Sequence, residues 1–266
     1  MSKEINQLYR DIAEDVMING EYIAGTKELN NYVVKLENPN NAVATIRSLP
    51  LSYLCGELVW YWSGHNDVEF ISLFSNFWKH ISDDGKTNNS AYGYLIHKAH
   101  GFDQLDLVVE LLKKDPNSRR AVININYPNV DRNRITTKDE QCTLSLQFLV
   151  RDNKVLMTTV MRSNDLFFGF SFDVPYFTSL QKYVAESLDL EMGTYTHFAT
   201  SMHIYECDFE KFDKVIDKEV EDSPYSIDVV KLRSQASELY NLLKESDNPK
   251  KDVVREFRER EILLED

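Results

Sequence analysis

The chain has 266 residues, 42% hydrophobic and 27% charged, with only 9 Gly and 7 Pro. That composition excludes collagen-like, low-complexity and wholly disordered chains and is enough to bury a sizeable core. Acidic residues outnumber Lys and Arg by 43 to 30, a net charge of −13, which excludes a general electrostatic attraction to DNA, RNA or an anionic membrane.

The first 20 residues read as a helix, and Met1–Arg10 is too polar for a signal peptide. Asn30–Leu36 reads as a strand. Leu51–Ser63 is apolar enough for a buried helix, yet the stretch is short and carries Glu57, so no membrane span is expected. Phe102, Leu105, Val108, Val109 and Leu112 give a helical period that stops at Asp115-Pro116. Arg120–Tyr127 alternates as a strand does. Gln141–Val150 and Lys154–Arg162 flank a polar tetrapeptide, Arg151-Asp152-Asn153-Lys154, that reads as a hairpin turn. A two-residue loop there sets Cys142 opposite Ser163 and gathers Cys142, Arg162 and Ser163 at the open end, with a bulge shifting the pairing by one. Asp173–Leu188 reads as a helix with Asp173 at the N-cap and Pro175 in the first turn. Residues 194–207 read as a strand with His203 and Tyr205 on alternate positions. Residues from about 240 onward read as a solvated helix or a flexible tail. With no repeat and no Pro/Gly/Ser linker, one domain over residues 1–266 is expected.

Each candidate residue has an ordinary structural explanation. A strand Cys is commonly a small buried hydrophobe, Arg119-Arg120 after a helix are commonly solvated, and Asp173 serves as a cap. The three cysteines, Cys55, Cys142 and Cys207, form no CxxC pair or Cys/His cluster, so no metal and no disulfide is expected, and the cytoplasm is the expected compartment.

It is the combination that carries information. GELVWYWSG (56–64), NSAYG (89–93), DPNSRR (115–120), EQCTLSLQF (140–148), MRSNDLFFGFSFD (161–173) and HIY (203–205) follow one another in this order. Together they resemble the thymidylate synthase family over residues 43–207, and more loosely over Gly25–Leu36. The resemblance implies an α/β fold with a large mixed sheet flanked by helices and a homodimer formed through that sheet. It implies a pyrimidine nucleotide and the reduced folate 5,10-methylenetetrahydrofolate as ligands. Cys142 then resembles the thiolate that adds to carbon 6 and so activates carbon 5. Arg162 resembles the residue that lowers the thiol pKa and binds phosphate, with Ser163 and, across the dimer, Arg119 and Arg120 as further phosphate ligands. Glu57 resembles the general acid/base, and Tyr92 the hydroxyl near the carbon 5 proton. Asp165, Gly169 and Trp78 resemble positions around the folate, Gly169 also flanking the pyrimidine. His203 and Tyr205 resemble the pair on the sugar hydroxyl.

Departures from the synthases refine this picture. Asp173 stands where they carry Asn. Cytosine donates from its amino group and accepts at its ring nitrogen, and a carboxyl group sharing one proton with the base matches that pattern. Asp173, together with Thr143 after the Cys and Gln141 before it, resembles the bacteriophage deoxycytidylate hydroxymethylases, whose host's cytoplasm would be the compartment. The chain's last residues, Glu-Ile-Leu-Leu-Glu-Asp, are unlike the apolar tail that seals the synthase site. Water rather than hydride is then expected at the exocyclic methylene, giving 5-hydroxymethyl-dCMP and tetrahydrofolate. The synthases' N-terminal phosphate arginine falls on Glu21, with Lys27 the nearest cation. Alternatives within the fold are a dCMP methyltransferase, a CMP hydroxymethylase and a thymidylate synthase or dUMP hydroxymethylase. Outside enzymes the alternative is a retired nucleotide- or RNA-binding regulator, against which the set Cys142, Glu57, Arg162 and Asp165 speaks.

Overall fold

The structure is a computed structural model and describes residues 4–126 and 136–265. Helix α1 (Ile5–Asn19) buries Ile5, Tyr9, Ile12, Ala13 and Val16, a single apolar stripe. It is followed by a hairpin of β1 (Glu21–Ile23) and β2 (Thr26–Leu36). In α2 (Leu51–Trp62) every residue from Leu54 to Trp62 is buried, as its unbroken apolar sequence requires. Short helices α3 (Val68–Ile71), α4 (Phe77–Ile81) and α5 (Tyr92–His97) wrap it. Helix α6 (Gln104–Lys114) begins where the Asp103 carboxylate accepts from the N–H groups of Leu105 and Asp106.

The remaining strands are β3 (Val122–Asn124), β4 (Thr143–Arg151), β5 (Lys154–Met161), β6 (Asn164–Asp165) and β7 (Glu191–Tyr205), with α7 (Ser171–Ser187) between β6 and β7. The expected strand 120–127 shortens to β3, and Tyr127 lies outside the described residues. One sheet runs in the order β1-β2-β7-β5-β4-β3, with β6 beside β7. Pairing is antiparallel except for β5 and β6 against β7, so the sheet is mixed and α7 is the crossover that parallel strands demand. Then follow α8 (Phe209–Ile216), β8 (Tyr225–Ile227), α9 (Val229–Lys244), α10 (Pro249–Glu259) and β9 (Leu263–Glu265). Residues beyond 240 thus form the end of α9, then α10 with Val253 and Phe257 buried, then a strand paired with β8. No helix among the described residues is long and apolar enough to cross a membrane.

Two local expectations are corrected. The hairpin turn is a tight two-residue loop, Asp152 and Asn153 both having positive φ, and Arg151 pairs with Lys154. A bulge between Thr143 and Ser145 then shifts the ladder by one, so Thr143 faces Met161. Cys142 therefore pairs with Arg162, whose N–H donates to the Cys142 carbonyl at 2.8 Å, and not with Ser163. The helix expected from Asp173 starts at Ser171, directly after a π-type turn over Leu166–Phe170. Asp173 is thus in the first turn and not the N-cap. The capping carboxylate belongs to Asp165, which accepts from the N–H groups of Phe167 and Phe168.

Helices α2 and α5 cross so closely that a Cβ on Gly93 would lie 2.0 Å from the Tyr61 carbonyl oxygen. Gly93→Ala is therefore expected to lower unfolding free energy by about 2–3 kcal/mol, read from denaturant unfolding, because backbone on both helices must move.

Candidate active site

A cleft of about 820 Å³ opens where the C-terminal ends of β5 and β7, the start of α7 and one face of α2 meet. Cys142, Arg162, Ser163, Asp165, Gly169 and Asp173 line it from one side. Glu57, Trp78, Tyr92, His203 and Tyr205 line it from the others. Eleven of the residues singled out from the sequence are therefore brought together. Lys27, Arg119 and Arg120 are not among the lining residues. Lys27 instead donates to the Met17 carbonyl and sits 5.7 Å from the Phe209 ring. Arg119 and Arg120 are exposed just before β3.

Backbone carbonyls fix the Arg162 guanidinium: Nε donates to Gln141 and Nη2 to Glu140, both at 2.9 Å. That leaves Nη2 3.6 Å from Cys142 Sγ. Burial pushes Cys142 up to about 11, and the opposing Arg162 charge offsets only part of it. Tyr92, stacked on Tyr61 at 5.7 Å, keeps its hydroxyl protonated through burial.

Asp139 holds this edge of the cleft together. Its buried carboxylate accepts from the Ser90 hydroxyl and from the N–H groups of Asn89 at 2.6 Å and Ser90 at 3.2 Å. Gln141 Nε2 also donates to the Asn89 carbonyl at 2.6 Å. The loop before Tyr92 is thereby tied to the segment leading into Cys142.

On α2, Tyr53 lies one turn before Glu57, the spacing at which helix side chains meet. Trp78 Nε1 donates to the Tyr53 hydroxyl at 3.1 Å, and that hydroxyl lies 2.6 Å from Glu57 Oε1. Because an indole N–H can only donate, the Tyr53 oxygen is an acceptor there and its proton points to Glu57. Burial raises Glu57 to about 7, while the Tyr53 hydrogen bond pulls it down. Asp173 is pushed well above the usual carboxyl range by desolvation, with the Glu57 charge adding to it and a hydrogen bond from Asn164 opposing. Asn164 Nδ2 donates to Asp173 Oδ2 at 2.8 Å. Asp165 is also raised by burial, against two backbone N–H bonds.

On β7, His203 accepts or donates at Nδ1 to the Ser201 hydroxyl at 3.3 Å and stands edge-on to Tyr205 at 5.1 Å. Near the mouth, Phe77 and Phe168 are 56% and 61% exposed. With Trp78, Phe74 and Ile81 they make an apolar wall suited to a flat aromatic ligand. Lys250 of α10 also reaches the lining. Among the described residues no group of three or more His, Cys, Asp or Glu could hold a metal ion. Tyr53, Asn164, Asp139 and Lys250 escaped the sequence reading. The spacing of Tyr53 to Glu57 was the one signal available.

A family model described as thymidylate synthase matches residues 7–248. A protein named deoxyuridylate hydroxymethyltransferase from Bacillus phage SP01 is 30% identical over 220 residues, 76% of this chain and 57% of that protein. One of the same name from Pseudomonas phage M6 is 34% identical over 152 residues, 56% of this chain and 43% of that protein. The chain thus spans about half the length of these two relatives. A putative thymidylate synthase from Methanothermobacter marburgensis is 29% identical, over 80% of this chain and 95% of its own length. The solved structure of thermostable thymidylate synthase A from Bacillus subtilis superposes with a TM-score of 0.70 at 22% identity, over 85% of this chain and 89% of that one. It shares the large mixed sheet with flanking helices.

The raised pKa of Glu57 has a thermodynamic counterpart. The folded chain holds that proton more tightly than the unfolded chain, so stability falls as pH rises from about 4.5 to about 7. Glu57→Gln, which keeps the acceptor for Tyr53, is expected to stabilise the protein by up to about 3 kcal/mol near pH 8. The gain should shrink to under about 1 kcal/mol near pH 5, as measured by denaturant unfolding at the two pH values.

Proposed function

The chain belongs to the thymidylate synthase family, and from that premise we propose that it is a deoxycytidylate 5-hydroxymethyltransferase. Asp173 carries the base preference. Its carboxyl group is desolvated beside Glu57, which favours the protonated form. A neutral carboxyl offers one O–H donor to the unprotonated ring nitrogen of cytosine and one acceptor to its amino group. Uracil presents the opposite pattern. The phage relatives are named for hydroxymethyl transfer to deoxyuridylate. The hydroxymethyl outcome is taken from that likeness, and the change of base from Asp173.

In this reading the substrate phosphate rests on Arg162 and Ser163, completed by Arg119 and Arg120 of a second copy in a homodimer. Lys27 has no part, its ammonium being engaged at Met17. His203 and Tyr205 meet the sugar hydroxyl. Cys142 gives its proton to solvent water in the open cleft as sulfur bonds to carbon 6, while Asp173 passes its proton to the ring nitrogen and is left as the carboxylate, so no full charge builds on the base. Arg162, at 3.6 Å, stabilises the departing thiolate character.

The apolar wall of Trp78, Phe77 and Phe168 fits a folate, and methylenetetrahydrofolate supplies a one-carbon unit at the oxidation level of formaldehyde. Asp165 and Gly169 flank it. Tyr92 stands by the carbon 5 proton that must leave. Tyr53 occupies one oxygen of Glu57, leaving the other to take a proton from water as that water attacks the exocyclic carbon. The exposed aromatic mouth keeps water within reach.

The direct assay supplies dCMP, CMP or dUMP with methylenetetrahydrofolate and identifies products by mass spectrometry. A hydroxymethyl product from dCMP alone is expected; a methyl product with dihydrofolate, or a product from dUMP in preference, would overturn the reading. Asp173→Asn is expected to shift the dCMP-to-dUMP ratio of kcat/KM by about 100-fold or more toward dUMP.

Glu57 acts as a base, so the rate should fall as pH drops below about 7. Tyr53→Phe removes the hydrogen bond that holds that pKa down and is expected to move this limb of the kcat profile to higher pH. An unmoved limb would detach Tyr53 from the base.

A further inference from the structure

Behind Asp173 a line of hydrogen bonds runs into the core, through residues to which the chemistry above gives no part. Asn164 is 2% exposed and donates its amide N–H to Asp173 Oδ2 at 2.8 Å. The approach is possible because residue 169 is glycine: a Cβ there would lie 2.6 Å from Asn164 Nδ2. With its nitrogen toward Asp173, Asn164 must turn Oδ1 the other way, and His197 Nε2 is 3.0 Å from it. An amide oxygen only accepts, so His197 Nε2 carries a hydrogen. His197 has no exposed surface, and burial drives its pKa down to about 3, so the ring is neutral. A neutral imidazole has one N–H, which leaves Nδ1 bare. The Tyr195 hydroxyl, 2.9 Å away, supplies the hydrogen that Nδ1 accepts.

We propose that His197, backed by Tyr195, is a specificity-determining positioning residue that fixes which oxygen of Asp173 carries the proton offered to the base. This rests on the cytosine reading of Asp173. With Asn164 donating to Oδ2, a proton on Oδ2 aimed at that amide would meet hydrogen. A carbonyl oxygen also accepts more strongly than a hydroxyl oxygen, so the bond from Asn164 favours Oδ2 as the carbonyl and the proton on Oδ1. Oδ1 then donates to the bare ring nitrogen, and Oδ2, with a lone pair to spare, accepts from the amino group. If His197 carried its hydrogen on Nδ1, Asn164 would turn over and present its oxygen to Asp173. The acid proton would be drawn to Oδ2, and Oδ1 would become an acceptor matched to a ring N–H. The tautomer of a residue that touches no ligand thus decides the hydrogen-bonding pattern offered at the base.

The first test is nitrogen NMR of the wild-type protein labelled at histidine. A neutral His197 protonated at Nε2 is expected; protonation at Nδ1 or an imidazolium would overturn the proposal. The second compares kcat/KM for dCMP and dUMP in two variants. His197→Leu should lower the dCMP-to-dUMP ratio by about 10-fold or more, while His197→Gln, whose amide can still donate to Asn164, should stay within about 3-fold of wild type. A ratio unchanged in the Leu variant, or lowered equally in both, would overturn it. A wild-type preference for dUMP defeats the cytosine reading, whereas the nitrogen spectrum judges the relay on its own.

Discussion

Ionising an acid in a desolvated site is costly, and a second acid nearby makes it costlier; much of this cleft follows from that one constraint. Burial raises the cost of charging Asp173, and the neighbouring acids Glu57 and Asp165 each add to it. No ion pair joins Glu57 or Asp173 to a Lys or Arg among the described residues. Cys142 feels the same burial and stays a thiol despite the guanidinium beside it. These acids and the thiol are thereby biased toward neutral forms in a chain whose net charge is −13. Protons stored on sulfur and carboxyl groups are available to be moved, and charge appears only where a substrate calls for it.

The fold meets this constraint with one long strand and one irregular turn. Strand β7, 15 residues long, pairs with β2 on one side and with β5 and β6 on the other. It carries Tyr195 and His197 in the core and His203 and Tyr205 at the cleft. The π-type turn at Leu166–Phe170 lets α7 begin close against β6, so Asn164 and Asp173 meet across nine residues of chain. Gly169, having no Cβ, leaves the room that this approach needs.

Much of this was legible in the sequence because it is local. The helical period of α6, the Asp152-Asn153 turn and the buried run of α2 each depend on neighbours in the chain. The order of the stretches around Cys142, Glu57, Arg162 and Asp173 points to the cleft residues. What was not legible depends on register and on contacts across the sheet. The bulge at Thr143–Ser145 moved the partner of Cys142 from Ser163 to Arg162. Asp173 looked like a helix cap because a π-type turn leaves no periodic signature. Asp139 and His197 bond to residues 49 and 33 positions away, at Ser90 and Asn164, and nothing in the local pattern marks them.

In the proposed relay, the line from Tyr195 to Asp173 puts the far end of substrate discrimination inside the sheet, beyond reach of any ligand. Two descendants of one ancestor can then keep every ligand-touching side chain and still part company over the base they accept.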